Sequence, residues 1–387
     1  MEKILVLPLF QMPSGHHKAA DALIYSLEKQ FPSVICKKVD FLSYCNEQIE
    51  KWISELYIRW IHSHPNSYQH VYKKLMCADP SRPKVAHLEP WLPYFEYKMK
   101  KMLDKEQPHL IICTHSFPSG ILQRLKKRNK LKIPVVNVYT DFFLNGVWGK
   151  NGIDFHFVPH REAKMELMTK YKIPQEAITI TGIPVHEAIT PQHTVKKPKN
   201  RRKHLLFAGG NQGLGNISNF FKNIIRNTNF RYSVLCGKNE QLYREILNWG
   251  NPNIRPLPYI SDAKQINRLY DEVDAVITKP GGVTISEVLQ KRLPLFTVAW
   301  LPGQEEINLG YLERRGLAYN LSGVNSCEET ISQVLNNETE RNRLNRRINE
   351  YFEELEKSAQ EAITGIVAAG KNKKSKEGAY YHRGKTI

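Results

Sequence analysis

No apolar run in this sequence approaches the ~18 residues that a membrane-spanning helix requires. The apolar start, Met1 to Phe10, is interrupted by Pro8 and fits a buried first strand better than a secretory signal. A soluble cytoplasmic chain is therefore expected. Cysteine is scarce: Cys36, Cys45, Cys77, Cys113, Cys236 and Cys327 have neither the CxxC spacing of a zinc site nor the density of a disulfide scaffold. They read as reduced packing residues. There is no Asp-x-Asp motif, so no metal and no cofactor is expected. Acidic residues are also few: 38 Asp and Glu against 56 Lys and Arg leave a net charge of +18. Such an excess calls for an acidic partner or surface, either nucleic acid or anionic lipid.

What is present is enough for two cores. A chain of 387 residues exceeds what one hydrophobic core usually serves, and 41% hydrophobic residues can build both. Apolar runs at Ile4 to Leu9, Val34 to Val39, Leu110 to Thr114 and Val135 to Tyr139 read as buried strands. A helical pattern starts at His17, with Ala19, Ala20, Leu23 and Leu27 on one face. A second series runs through Leu205 to Ala208, Tyr232 to Cys236, Ile254 to Leu257, Ala275 to Thr278 and Leu293 to Val298. Continuous apolar strands with helices between them imply parallel sheets covered on both faces. The fold class is α/β, with two doubly wound Rossmann-like domains facing a cleft. The boundaries are residues 1–190, a polar linker over 191–203, a second domain over 204–340, a helical segment over 341–369 and a basic, disordered tail over 370–387.

The most informative stretch is Asp274 to Asn308. A short strand ends at Lys279-Pro280-Gly281-Gly282, and a helical pattern follows from Thr284. Adjacent glycines at a helix N-terminus let backbone N–H groups approach an anion. Thr284-Ile285-Ser286-Glu287 also has the spacing of a capping box. After the next strand, Pro302-Gly303-Gln304-Glu305 presents an amide and a carboxylate, a pair suited to sugar hydroxyls or to opening a helix.

These two motifs, with Glu287 and Asn308, resemble the donor-sugar half of the diacylglycerol glycosyltransferases. That family comprises bacterial processive glucosyltransferases and plant monogalactosyldiacylglycerol synthases, relatives of the enzyme that adds N-acetylglucosamine to the peptidoglycan lipid precursor. The resemblance implies the two-domain GT-B arrangement, with a final helix crossing back to the N-terminal domain. It also implies a UDP-sugar donor, UDP-glucose or UDP-galactose. Gly281, Gly282 and Thr284 would hold the diphosphate with Lys279, Glu287 the ribose, and Gln304, Glu305 and Asn308 the hexose. Upstream, Gly209-Gly210-Asn211 after one strand, Cys236-Gly237-Lys238 after the next and Pro258-Tyr259-Ile260 after a third match the order of the family's nucleotide-contacting loops. Ile260 takes the uracil position.

On the acceptor side, Pro13-Ser14-Gly15-His16 aligns with the family's glycine-rich loop ending in histidine. This makes His16 the implied general base, with a polar cap as the other reading and His17 as its neighbour and competitor. Pro13 and Ser14 depart from the family pattern. Thr140-Asp141-Phe142 resembles a family signature in which Asp141 would orient His16, meet the acceptor hydroxyl or serve as a cap. Thr181-Gly182-Ile183-Pro184 matches a Gly-(Ile/Leu)-Pro segment, but His186-Glu187 replace the usual Arg-Pro.

No carboxylate nucleophile is evident, so a single inverting displacement is the simplest chemistry. Residues 48–103 interleave Trp52, Tyr57, Trp60, Tyr68, Tyr72, Trp91, Tyr94, Phe95 and Tyr97 with lysines and arginines. This pattern suits an anionic membrane surface and a lipid acceptor. The expected reaction is hexose transfer to diacylglycerol at the inner face of the cell membrane, with no nucleic-acid partner. An isoprenoid-linked or small hydrophobic acceptor, a noncatalytic UDP-sugar sensor and a basic nucleic-acid binder are the alternatives.

Overall fold

The computed structural model describes residues 2–11, 14–48, 50, 89–191, 201–209, 217–222, 224–225, 228–298, 303–324 and 326–370. Among these residues twelve strands form two sheets of six, and every pairing between neighbours is parallel.

The first sheet holds β1 (Lys3–Leu7), β2 (Ile35–Lys38), β3 (Leu110–Cys113), β4 (Val135–Val138), β5 (Phe155–Val158) and β6 (Ile178–Ile180), in the order β2-β1-β3-β4-β5-β6. Around it lie α1 (Gly15–Gln30), α2 (Phe41–Cys45), α3 (Leu92–Glu106), α4 (Ser116–Lys127) and α5 (Arg161–Tyr171). The second sheet holds β7 (His204–Ala208), β8 (Arg231–Leu235), β9 (Ile254–Leu257), β10 (Ala275–Thr278), β11 (Leu295–Thr297) and β12 (Tyr319–Asn320), in the order β12-β11-β10-β7-β8-β9. Its helices are α6 (Ile217–Phe221), α7 (Glu240–Asn248), α8 (Ala263–Glu272), α9 (Gly282–Gln290), α10 (Gln304–Arg315), α11 (Cys327–Asn336) and α12 (Glu338–Glu353).

The two-domain α/β architecture thus stands as the sequence implied. Nine of the twelve strands described, β1–β4 and β7–β11, lie within the apolar runs to a residue or two, because parallel strands covered on both faces are largely apolar. The long polar helical stretch after Cys327 is broken: α11 and α12 are capped separately by Ser326 and Asn337, and a further helix, α13, covers 359–370. Ala359, Ala362, Ile363 and Val367 of α13 are buried with Ile4, Val6, Leu23 and Leu110 in the N-terminal core. The chain ends its second domain at α12 and returns to the first.

Both strand orders reverse once, between β1 and β3 in the first sheet and between β7 and β10 in the second. Such switch points open crevices at the C-terminal ends of the strands. The crevices face one another, and apolar residues close the space around them. Ala19, Phe142 and Ile183 of the first domain share a buried cluster with Val283, Tyr311 and Tyr351 of the second.

Candidate active site

His16 stands in the first turn of α1, at the end of β1. Its neighbours come from the ends of β3 and β4: Nδ1 lies 2.9 Å from the Thr114 carbonyl and 2.7 Å from Thr140 Oγ1. A carbonyl only accepts, so Nδ1 carries the proton and Nε2 is left with its lone pair. Burial pushes the His16 pKa below the ordinary histidine value, opposed by the Asp141 charge and the Thr114 carbonyl. The ring is therefore neutral near pH 7 and able to accept a proton. His17 turns the other way, to Ser14 Oγ at 3.2 Å and Asp40 Oδ1 at 2.7 Å. The two histidines at the helix start thus have separate partners.

The partners of Asp141 come from the second domain. Its carboxylate accepts both of its close contacts from α10 across the cleft: Gln304 Nε2 at 2.8 and 2.9 Å and Asn308 Nδ2 at 3.0 Å. Thr140, one residue earlier, holds the His16 ring instead. Gln304 and Asn308 thus both meet a protein carboxylate in this structure. Asn308 is fully buried and spends its whole amide on the protein, donating also to the Pro280 carbonyl at 3.1 Å and accepting from the Phe142 N–H at 2.8 Å. A buried amide so placed joins the two domains.

In the second domain, β10 ends in Thr278, and Gly281 in an extended conformation caps α9, which starts at Gly282. The expected start at Thr284, with its capping box, is thus corrected: Thr284 and Glu287 lie inside the helix. Glu287 is buried and accepts from the Tyr270 hydroxyl at 2.9 Å, and Lys18 of α1 lies 3.8 Å from its other oxygen.

A Cβ at Gly282 would stand 1.9 Å from the Thr140 carbonyl oxygen, whereas one at Gly281 would meet open space. Gly282 therefore serves the approach of the two domains, and Gly281 is the position open to a ligand. Gly15 meets Val283 from the opposite side, its virtual Cβ 3.4 Å from a Val283 methyl. The N-termini of α1 and α9 thus converge on one place, which concentrates positive helix potential there.

Lys279 pairs with Glu305 at 2.7 Å, so two expected ligand contacts neutralise each other in this arrangement. Gly237 has the left-handed backbone that glycine allows (φ 61°) and turns the chain after β8. The Lys238 ammonium lies 5.7 Å from the Tyr259 ring centre. Ile260, beside Tyr259, is partly buried against the second core. Pro13, Gly210, Asn211, Pro302, residues 51–88 and most of the linker lie outside the described residues.

Four residues of this site carried no role in the sequence reading. Thr114 and Thr140 fix the His16 tautomer, Tyr270 orients Glu287, and His115 packs edge-on to His16 with 4.6 Å between ring centres. For His115 a signal existed: a histidine directly after a buried strand and before the Ser116-Phe117-Pro118 helix start, on the same sheet edge as His16.

Two facing Rossmann-like domains, with a neutral histidine beside convergent helix N-termini, have the GT-B arrangement. The family model for monogalactosyldiacylglycerol (MGDG) synthase matches residues 16–185. An uncharacterized glycosyltransferase, YkoN of Bacillus subtilis, is 36% identical over 375 residues, 96% of this chain and 99% of that protein. The processive diacylglycerol beta-glucosyltransferase of Bacillus cereus is 34% identical over 228 residues, 57% of this chain and 58% of that enzyme. Among solved structures, Acinetobacter baumannii MurG has a TM-score of 0.58 at 12% identity, covering 95% of this chain and all of that one. UDP-GlcNAc 2-epimerase from Neisseria meningitidis has a TM-score of 0.54 at 14% identity, covering 95% of this chain and 100% of that one. The fold is therefore shared by transferases and epimerases. The chain belongs to the diacylglycerol glycosyltransferase family. Among the described residues, no helix is long and apolar enough to cross a membrane.

Proposed function

We propose that this protein transfers a hexose from UDP-glucose or UDP-galactose to diacylglycerol or a related lipid alcohol, forming a β-glycoside at a membrane surface. The observation that carries the reading is the state of His16: Nδ1 is committed to the Thr114 carbonyl, Nε2 has no hydrogen-bond partner among the described residues, and its neighbours Gly15 and Thr140 meet the N-terminus of α9. A base so placed takes the proton of the acceptor hydroxyl as its oxygen attacks the anomeric carbon. The bond to the UDP oxygen breaks on the opposite face, so configuration inverts. UDP leaves as an anion, and its charge falls where the N–H groups of α9 point. Glu287, held by Tyr270, is suited to the paired ribose hydroxyls.

To admit the hexose, Gln304 must release Asp141 or share it with a sugar hydroxyl, and Lys279 must exchange Glu305 for phosphate. The acceptor reaches the site from a lipid surface along α3. Trp91 at its start and Tyr97 on its face are each 61% exposed, and Lys98, Lys100 and Lys101 lie in the same helix. No metal or cofactor is assigned to the reaction.

The test is transfer from radiolabelled UDP-glucose or UDP-galactose to diacylglycerol in anionic vesicles. A chloroform-soluble product is expected with one donor. Its absence with both, beside activity on a different acceptor, would overturn the lipid assignment.

A further inference from the structure

His115 has the tautomer opposite to that of His16. Its Nδ1 accepts the Phe117 backbone N–H at 3.1 Å and so caps α4. An accepting Nδ1 in a neutral ring leaves the proton on Nε2. The ring stays neutral, because burial and the neighbouring His16 and His17 all oppose a positive charge on it. Two partly buried imidazoles thus stand 4.6 Å apart between centres, at 75° to each other. One offers a lone pair and the other an N–H. Phe10 flanks the pair, its ring centre 6.3 Å from that of His115, and gives the site an apolar wall.

We propose that His115 is a positioning residue for the acceptor: its Nε2–H donates to the oxygen of the hydroxyl whose proton His16 removes. An oxygen that donates to His16 and accepts from His115 has one lone pair directed by the enzyme and one free to attack. The inference rests on the proposed transfer to a hydroxyl, and it assigns His115 no part in proton removal. His115 stays uncharged through the cycle, and the proton ends on His16.

Substitution by asparagine or serine separates this role from helix capping. Both residues are good N-caps. Asparagine caps through its carbonyl oxygen and still presents an N–H to the cleft, whereas a capping serine is too short to reach it. His115→Ser is expected to lower kcat/KM for the acceptor at least about tenfold, the loss usual for one directed hydrogen bond. UDP affinity and thermal midpoint should stay at the wild-type values. His115→Asn is expected to recover most of the transfer.

Equal transfer by His115→Ser and wild type would overturn the proposal while leaving His16 chemistry intact. Equal loss in both variants, with a lowered thermal midpoint, would also overturn it in favour of a capping role. A wild-type protein that transfers to no hydroxyl acceptor would remove the underlying reading and this inference with it.

Discussion

The carboxylate of Asp141 and the side-chain amide of Gln304 are 163 residues apart in sequence and 2.8 Å apart in space. Together with Asn308 they tie the end of β4 to the first turns of α10. The carboxylate lies at a helix N-terminus, where negative charge is favoured.

Asp141→Asn is expected to weaken this tie by about 2 kcal/mol, the scale of a hydrogen bond to a charged group. It also removes a charge that raises the His16 pKa. A base works only when unprotonated, so transfer is lost as pH falls through the His16 pKa. In Asp141→Asn that acidic limb should move to lower pH. A pH–rate profile of both proteins checks the direction, and an upward move would contradict it.

Gly282→Ala places a methyl group where the Thr140 carbonyl now stands. Overpacking of this kind costs about 1–3 kcal/mol. The strain falls on the domain contact rather than on either core. Small-angle scattering should show a larger radius of gyration with little change in helix content. Gly281→Ala, which meets open space, should leave the radius unchanged.

Glu287→Gln keeps the shape of the side chain and removes its charge. Calorimetry should show UDP binding weakened about tenfold, since one charged acceptor for ribose hydroxyls is lost. Unchanged affinity would assign Glu287 to the Tyr270 contact alone.

Acid should destabilise the fold through buried histidines. Burial lowers the pKa of His156 to about 3 and that of His204 to about 4. Both folded values lie below the unfolded value, so the unfolded chain binds more protons as pH drops below about 6.5. The stability these groups contribute is complete above that value and is lost as pH falls toward the folded pKa. Each should cost about 2 kcal/mol between pH 7 and pH 5. Thermal melts at the two pH values measure the sum, and a flat profile would refute it.

Trp91→Ser with Tyr97→Ser removes two exposed aromatic side chains from α3. Sedimentation with anionic vesicles should fall several-fold, by the loss of apolar area from the interface. UDP binding in solution should not change.

The sheets were legible in the sequence because parallel strands leave long apolar traces. β5 and β6 were not, since His156 and Thr179 interrupt runs of four and three residues. The start of α9 was placed two residues late because a Thr-x-x-Glu spacing also occurs inside helices. What sets the start is the extended backbone of Gly281. The individual site residues stood out by their local motifs, and their partners did not. Nothing local to Asp141 announces Gln304, and nothing local to Gly282 announces the Thr140 carbonyl. Such pairings arise only when two separately folded sheets meet.

The return of α13 to the first core has a consequence for building hybrids of this protein. The second domain is not a C-terminal fragment but a cassette inserted into the first, entered through 191–203 and left after α12. Exchanging it for the corresponding domain of a relative needs two seams. A chimera joined at one seam would import a foreign last helix into a groove shaped by Ile4, Leu23 and Leu110.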